Sequence, residues 1–143
     1  MTFRQRSSYV VVLLSCLLML MPGCTAVSYY LSNGNNTAGL LRVLGTYGND
    51  IGTVCGTFND NAATIACSSF GLPGYVGRVI DATPFGVGYG PIAMSNVQCP
   101  SPFLSTINNC TNTSAANTTC GHSQDVAISC SLPTLGTAGG TLT

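Results

Sequence analysis

Charged side chains are scarce in this sequence. Asp, Glu, Lys and Arg make up 6% of its 143 residues, and tryptophan is absent. Four basic and four acidic residues give a formal net charge of zero. Binding to nucleic acid or to an anionic membrane requires a patch of basic side chains, which four basic residues cannot form. Binding of either partner through a basic patch is therefore excluded. Catalysis is also disfavoured, because one histidine and four carboxylates leave few groups to exchange protons.

The first 26 residues have the pattern of a secretory signal peptide. Arg4 and Arg6 precede an apolar run at residues 9–21, and small residues follow up to Ala26, after which we predict cleavage. The run is shorter than the roughly 20 residues of a membrane-spanning helix. Retention as a membrane anchor is the alternative, and a lipid on Cys24 is a second one. The eukaryotic glycosylation sequons described below argue against the lipid.

Cleavage leaves residues 27–143 as the mature chain, which contains no Lys, Glu or Trp and has a formal net charge of −2. Six cysteines remain in it, at positions 55, 67, 99, 110, 120 and 130. An even set of cysteines behind a signal peptide indicates a disulfide framework in an extracellular domain. Six cysteines allow fifteen pairings, among which spacing alone does not choose.

One helix is predicted over residues 59–70. Asn59 is a good N-cap and Gly71 ends the run. One face of this helix is apolar and is expected to be buried; it carries Ala63, Ala66, Cys67 and Phe70. Short apolar runs predict strands at residues 27–31, 40–44, 51–54, 92–97 and 126–130.

The stretch at residues 71–90 is rich in Gly and Pro, which predicts an irregular loop. It is not a phosphate-binding loop, because neither a lysine nor a helix follows it. Binding residues concentrate on loops that a rigid scaffold holds, so we predict ligand contacts at Tyr75, Arg78 and Tyr89. The alternative is that the tyrosines pack against a small core and expose only an edge.

Four sequons for N-glycosylation begin at Asn35, Asn109, Asn112 and Asn117. Three of them fall in the polar stretch at residues 100–119, where sugars would make a bulky hydrophilic edge. Asn109 is the least favourable, because a bridged cysteine is expected within its sequon. Residues 131–143 are rich in Gly and Thr and predict a flexible tail.

The context of the cysteines resembles a known family. In order, the segments are Gly-Thr-Val-Cys at residues 52–55, Phe-Asn-Asp-Asn-Ala-Ala-Thr-Ile-Ala-Cys at 58–67, Phe-Gly at 70–71, Gly-Pro-Ile at 90–92, Asn-Val-Gln-Cys at 96–99 and Cys-Gly-His-Ser-Gln-Asp-Val-Ala-Ile-Ser-Cys at 120–130. Together they resemble the landmarks of a scavenger receptor cysteine-rich (SRCR) domain, from about residue 27 to residue 130.

The resemblance implies an α+β fold: a small disulfide-rich domain in which a curved antiparallel β-sheet cradles one α-helix. It also implies three disulfide bonds of the group A type, joining Cys55 with Cys120, Cys67 with Cys130, and Cys99 with Cys110.

This chain departs from the family at an acidic cation site. In many members this site resembles a common pattern of two aspartates and one glutamate. At the corresponding positions this chain has Gly56, Thr57 and Gln124. Calcium needs several carboxylates, so no metal ligand is predicted. A weak site that uses Asp60 or Asn96 is the alternative.

The only histidine, His122, is interpreted as a polar residue beside a disulfide, because an oxidised Cys120 can act neither as a metal ligand nor as a nucleophile. No catalytic residue and no cofactor is assigned.

These features favour a secreted or cell-surface recognition module that binds an extracellular protein or glycan without catalysis. The alternative is a structural or adhesive component of an extracellular coat or matrix, which the low charge and the clustered sequons support. Contact with a membrane is expected only if the N-terminal segment is retained as an anchor.

Overall fold

A computed structural model describes residues 28–45 and 47–134 of the chain. The predicted signal peptide at residues 1–26 and most of the predicted tail, residues 135–143, lie outside the described residues. The described strands are β1 (Ser28–Ser32), β2 (Ala38–Leu44), β3 (Asp50–Phe58), β4 (Val76–Ile80), β5 (Ile92–Gln98), β6 (Thr111–Ser114) and β7 (Ala127–Ser131), and the helix α1 (Asp60–Ser69) follows β3. Across these residues, no helix has the length and apolarity that a membrane crossing requires.

All seven strands belong to one open sheet. Its strands are hydrogen-bonded in the order β4-β7-β2-β3-β5-β6, and β1 pairs with β2 outside this path. The predicted fold class is confirmed, with one correction: β3 and β5 run parallel, so the sheet is mixed and not wholly antiparallel. The chain between them contains α1 and β4, and a crossover of this length is what parallel neighbours need.

Two strands lie where the sequence predicted only loops. β4 falls within the Gly/Pro-rich stretch and pairs with β7, while β6 falls within the polar stretch and pairs with β5. β6 consists of Thr-Asn-Thr-Ser and has no apolar residue that would signal a strand. Both strands exist because a neighbouring strand supplies their hydrogen-bond partners.

Helix α1 begins and ends where the sequence predicted, to within one residue. The Asn59 side chain accepts a hydrogen bond from the Ala62 amide at 3.0 Å, as an N-cap does. The same side chain accepts from the Cys99 amide at 3.2 Å and donates to the Cys99 carbonyl at 2.9 Å, which fixes the helix start to the end of β5. Gly71 then has a φ of 79°, a left-handed conformation that ends the helix.

The core lies between α1 and the sheet. The buried face of α1 is wider than predicted, since Ala62 and Ile65 are buried as well, and Phe70 is only half-buried. β4 approaches the helix so closely that a Cβ atom on Gly77 would lie 2.1 Å from the Ala63 carbonyl carbon. The remaining buried apolar residues include Leu41, Val43, Val54, Val97, Ile107 and Ile128.

Three disulfide bonds cross-link these elements. Cys67 of α1 is bonded to Cys130 of β7, with their Cα atoms 5.7 Å apart. Cys55 of β3 is bonded to Cys120, and Cys99 after β5 is bonded to Cys110 before β6. These are the pairs that the resemblance implies. No unbonded cysteine occurs in the part of the chain that the structure describes.

Candidate functional site

The glycine loop, defined as residues 86–91, leads into β5. Gly86 and Gly90 have φ angles of 73° and 77°, in the left-handed region that favours glycine. Gly88 is needed for a different reason, because a Cβ atom there would lie 2.4 Å from the Asp125 carboxylate. All three glycines are therefore required by the conformation of this loop.

Three side chains hold three successive residues of the glycine loop. Asp125 Oδ2 accepts a hydrogen bond from the Gly88 amide at 2.8 Å. Arg42 Nη1 donates to the Tyr89 carbonyl at 3.0 Å, and His122 Nε2 donates to the Gly90 carbonyl at 2.9 Å. We call Arg42, His122 and Asp125 the loop clamp. Because Arg42 lies in β2 whereas His122 and Asp125 lie together between Cys120 and β7, the clamp depends on the fold that brings these two segments to the loop.

Arg42 is the buried centre of this arrangement, with 1% of its side chain exposed. Its Nε atom donates to Asp50 Oδ2 at 3.0 Å, and its Nη2 atom contacts the same oxygen. The guanidinium carbon also lies 4.2 Å from the centroid of the Tyr89 ring, a cation–π contact. Each of the three guanidinium nitrogens therefore has an acceptor, and one face of the group is covered by an aromatic ring, as a buried cation requires.

The Asp50 carboxylate completes the pairing of Arg42. Partial burial by itself raises the pKa of Asp50, but the hydrogen bonds and the positive charge of Arg42 outweigh burial. The Gly52 amide and the Tyr30 hydroxyl add further hydrogen bonds, so the pKa of Asp50 lies below its ordinary value. Asp50 is therefore held in its ionised form as the partner of Arg42.

His122 uses both of its ring nitrogens in structural contacts. Opposite the bond to Gly90, Nδ1 lies 3.0 Å from Asp125 Oδ2 and 3.4 Å from Thr53 Oγ1. The side chain of Asp125 is 1% exposed and is shared between His122 and the Gly88 amide. This geometry makes His122 a link between a buried carboxylate and the glycine loop, with no ring nitrogen left for other chemistry.

The glycine loop presents apolar side chains to solvent. Val87 is 68% exposed and Tyr89 is 62% exposed, although the backbone between them is fixed by the clamp. One face of the Tyr89 ring covers Arg42. Of the predicted ligand-binding residues, Tyr89 thus belongs to a rigid and exposed loop.

Tyr75 and Arg78 line a different feature, a depression between α1, β4 and the segment at residues 102–103, with a volume of about 530 Å³. Phe103 stands at this depression and is 93% exposed. Within the depression, the Asp60 carboxylate accepts from Arg78 Nη1 at 3.1 Å, and it also accepts from the Val79 amide at 2.8 Å. The structure therefore separates Tyr75 and Arg78 from Tyr89, which does not line this depression.

The positions that correspond to the family's acidic cation site line a polar cleft of about 440 Å³. Gly56, Thr57 and Gln124 are joined there by Asn96, whose Oδ1 atom accepts from the Thr57 amide at 3.1 Å. The one carboxylate in its lining is Asp125, which already bonds to the Gly88 amide. Within the described residues, no three His, Cys, Asp or Glu side chains lie together as a metal site would require.

Sequence reasoning missed most of the loop clamp. Arg42 was visible as a lone charge inside the apolar run Leu-Leu-Arg-Val-Leu, a pattern that signals a buried and paired cation. Asp50, the ion-pair partner of Arg42, is eight residues away in the sequence, but Tyr89, whose carbonyl accepts a hydrogen bond from Arg42, is 47 residues away. Phe103 and Val87 are exposed, and nothing in the sequence around either residue distinguishes an exposed apolar side chain from a buried one.

The comparisons with known proteins agree with this architecture. Residues 32–131 match the model of the scavenger receptor cysteine-rich domain. The chain belongs to this family. Family members are extracellular modules without catalytic activity of their own.

Individual relatives match the same part of the chain. Lysyl oxidase homolog 2A of Danio rerio is 34% identical over 87 residues, 59% of this chain and 11% of that protein. Lysyl oxidase homolog 3A of Danio rerio is 32% identical over 104 residues, 72% of this chain and 14% of that protein. The crystal structure of the third SRCR domain of murine neurotrypsin is 28% identical, with a TM-score of 0.57, and covers 73% of this chain and 96% of that domain.

The SRCR chain spans about a tenth of the length of the curated relatives it matches. The names of those relatives describe proteins of which the matched region is a small part. The similarity therefore assigns a domain type to this chain and does not assign it an oxidase activity.

Proposed function

We propose that this SRCR chain is an extracellular recognition module that binds a protein or glycan ligand through its glycine loop, without chemical change of the ligand. The observation that carries the proposal is the loop clamp. Residues 28–45 and 47–134 contain seven Asp, Arg and His side chains. Four of them hold this loop or pair with the arginine that holds it: Arg42, Asp50, His122 and Asp125.

Burial of charged groups is costly, and it is tolerated only where pairing is complete. In a chain with so few titratable side chains, three bond to the backbone of one surface loop, and a fourth, Asp50, pairs with one of the three. A loop that is already rigid loses little conformational entropy when it binds, which strengthens binding without additional contacts. A loop held rigid in this way is expected at a ligand-binding surface and is not needed in a loop that only connects two strands.

The exposed side chains of the loop suit recognition. Tyr89 combines an apolar ring with a polar hydroxyl, and tyrosine is enriched among residues that dominate binding energy. Val87 adds apolar surface beside it. We expect the ligand to present an apolar or uncharged polar surface, because the loop itself carries no charge.

The depression with Tyr75 and Arg78 is proposed as a second contact surface. Its support is the 93% exposed ring of Phe103 together with the Arg78 side chain, which is 67% exposed. Aromatic residues and arginine are both enriched at protein–protein interfaces. The two surfaces are distinguished by separate substitutions.

The test is a binding screen with the secreted protein against immobilised glycans and whole microbial cells, followed by substitution. Tyr89→Ala and Val87→Ala address the glycine loop, and Tyr75→Ala with Arg78→Ala addresses the depression. Tyr47→Ala is the matched control, because Tyr47 is 95% exposed and lies on neither surface. Thermal unfolding of each variant verifies that the domain remains folded.

We expect saturable binding that the loop substitutions weaken at least about tenfold, a loss of about 1.4 kcal/mol. Tyr47→Ala should leave it unchanged. Binding that survives both loop substitutions would remove the loop from the proposal. If no probe binds saturably, the structural or adhesive role in an extracellular coat or matrix becomes the better account.

Export is part of the proposal. The basic start and the apolar run before Ala26 favour removal of residues 1–26 and a secreted product. Mass spectrometry of the protein from the culture medium should give an N-terminus at residue 27. Recovery of the uncleaved chain in the membrane fraction would instead indicate a cell-surface form.

A further inference from the structure

Strands β4 and β6 are the two ends of the strand path in the sheet. The outer side of an end strand carries backbone groups with no strand partner, and such an edge can pair with another copy of the protein. β1, which among the described strands pairs only with β2, is a further edge strand, and the edges at β4 and β6 are treated in different ways.

The edge of β4 is closed by side chains of α1. Asp60 Oδ1 accepts from the Val79 amide at 2.8 Å, and Thr64 Oγ1 accepts from the Gly77 amide at 3.0 Å. Gly77 and Val79 alternate along the strand, so their amides point to the same side. The helix therefore occupies the groups that a further strand would use.

Among the residues that the structure describes, no charged side chain bonds to the edge of β6. Its one neighbour in the sheet is β5, and Thr111, Asn112 and Ser114 are exposed. Proteins commonly protect an edge with charged side chains, above all lysine. Here no charged residue and no histidine occurs between Asp81 and His122, a stretch that contains β5, β6 and the turns on both sides.

Three of the four sequons surround this edge. Asn112 lies within β6, Asn109 ends the 3-10 turn before it, and Asn117 ends the 3-10 turn after it. All three asparagines are exposed. Asn112 Nδ2 donates to the Cys110 carbonyl at 3.0 Å, which uses one of its two hydrogens.

Glycosylation is compatible with this geometry. Asn Nδ2 forms a bond to the anomeric carbon of an oligosaccharide and loses one proton. A lipid diphosphate, the leaving group of the oligosaccharyl donor in the secretory pathway, departs with the electron pair of the broken bond. One N–H remains on Nδ2, so the bond from Asn112 to the Cys110 carbonyl can persist.

We propose that N-linked glycans at Asn112 and Asn117, with Asn109 as a third acceptor, cover the open edge of β6 and prevent two copies of the domain from pairing through it. The proposal depends on secretion but not on ligand binding. Its failure is therefore distinguishable from failure of the recognition role.

The test uses the full chain secreted from a eukaryotic host. Glycopeptide mass spectrometry should find Asn112 and Asn117 occupied. Sedimentation and light scattering then compare the wild type with the Asn109→Gln, Asn112→Gln, Asn117→Gln triple variant. We expect a monomeric wild type and a triple variant that self-associates at least about tenfold more tightly. Asn35→Gln, at the distant β1–β2 turn, is the matched control and should remain monomeric.

A second set of variants carries a charged side chain in place of the glycan. It tests whether the glycans act by protecting the edge of β6 or only by making the protein more soluble. In the triple variant, lysine instead of glutamine at position 112 (Asn112→Lys) should restore the monomer, whereas Asn35→Lys added to the triple variant should not. Circular dichroism verifies that each variant is folded. Unoccupied sequons, a monomeric triple variant or equal rescue by both lysines would each overturn the proposal.

Discussion

Replacement of Arg42 by methionine should destabilise the domain far more than the same replacement of Arg78. Arg42 is 1% exposed, and its guanidinium bonds to Asp50 and to the Tyr89 carbonyl. Arg78 is 67% exposed and pairs with Asp60, whose side chain is 49% exposed. The two sites therefore differ in burial while sharing the same kind of ion pair.

The magnitudes follow from burial. Loss of one partner of a buried ion pair costs about 3–5 kcal/mol. Asp50 is 31% exposed and regains water when Arg42 is removed, so we expect the lower end, about 3 kcal/mol. A solvent-exposed pair contributes about 0–1 kcal/mol, and we expect about 0.5 kcal/mol for Arg78→Met.

Urea and thermal unfolding followed by circular dichroism measure both variants. For a domain of this size, 3 kcal/mol corresponds to a fall in Tm of roughly 12–24 °C. A double-mutant cycle with Asp50→Asn should give a coupling of about 1–3 kcal/mol. If Arg42→Met and Arg78→Met differ by less than about 1 kcal/mol, the central role of Arg42 is refuted.

Three further predictions concern stability. Because the pKa of Asp50 is lowered in the folded state, its contribution is complete above about pH 5 and is lost as the pH falls through the folded-state pKa. Acid unfolding should therefore be less steep in Arg42→Met than in the wild type, and parallel acid limbs would contradict this. Gly77→Ala should destabilise the domain by several kcal/mol, because the new Cβ would lie 2.1 Å from the Ala63 carbonyl carbon. Gly121→Ala is the control and should change the stability by no more than about 0.5 kcal/mol, because a Cβ atom there meets open space. Similar urea midpoints for the two variants would count against close packing of β4 on α1. Reduction of the disulfide bonds should unfold the domain, because bridges that close loops of 65, 63 and 11 residues each contribute roughly 3–4 kcal/mol. Cooperative thermal unfolding at an unchanged temperature in the presence of reductant would disprove this prediction.

Local signals in the sequence predicted helix α1 and five of the seven described strands. The N-cap at Asn59 and the stop at Gly71 are determined by neighbouring residues, so both are visible in the chain itself. The two missed strands, β4 and β6, lie at the ends of the strand path and have little apolar alternation. Their hydrogen-bond partners are in β7 and β5, which no local pattern indicates.

The candidate site was only partly predictable for the same reason. The sequence predicts ligand contacts in the stretch at residues 71–90, which includes Tyr89 and part of the glycine loop. Its rigidity was not foreseen, because Arg42, His122 and Asp125 are 47, 32 and 37 residues away from the loop residues they hold. Tyr75 and Arg78, close to Tyr89 in the sequence, line a separate depression.

The sequence by itself determined the family, the disulfide-rich composition and the position of helix α1, since these depend on residue type and short spacing. The tertiary structure alone decided that β3 and β5 run parallel, that two charged clusters differ in burial, and that the glycine loop is clamped. The physical reason is that a hydrogen bond or ion pair to a distant residue exists only after the chain has brought both groups together and removed water from between them.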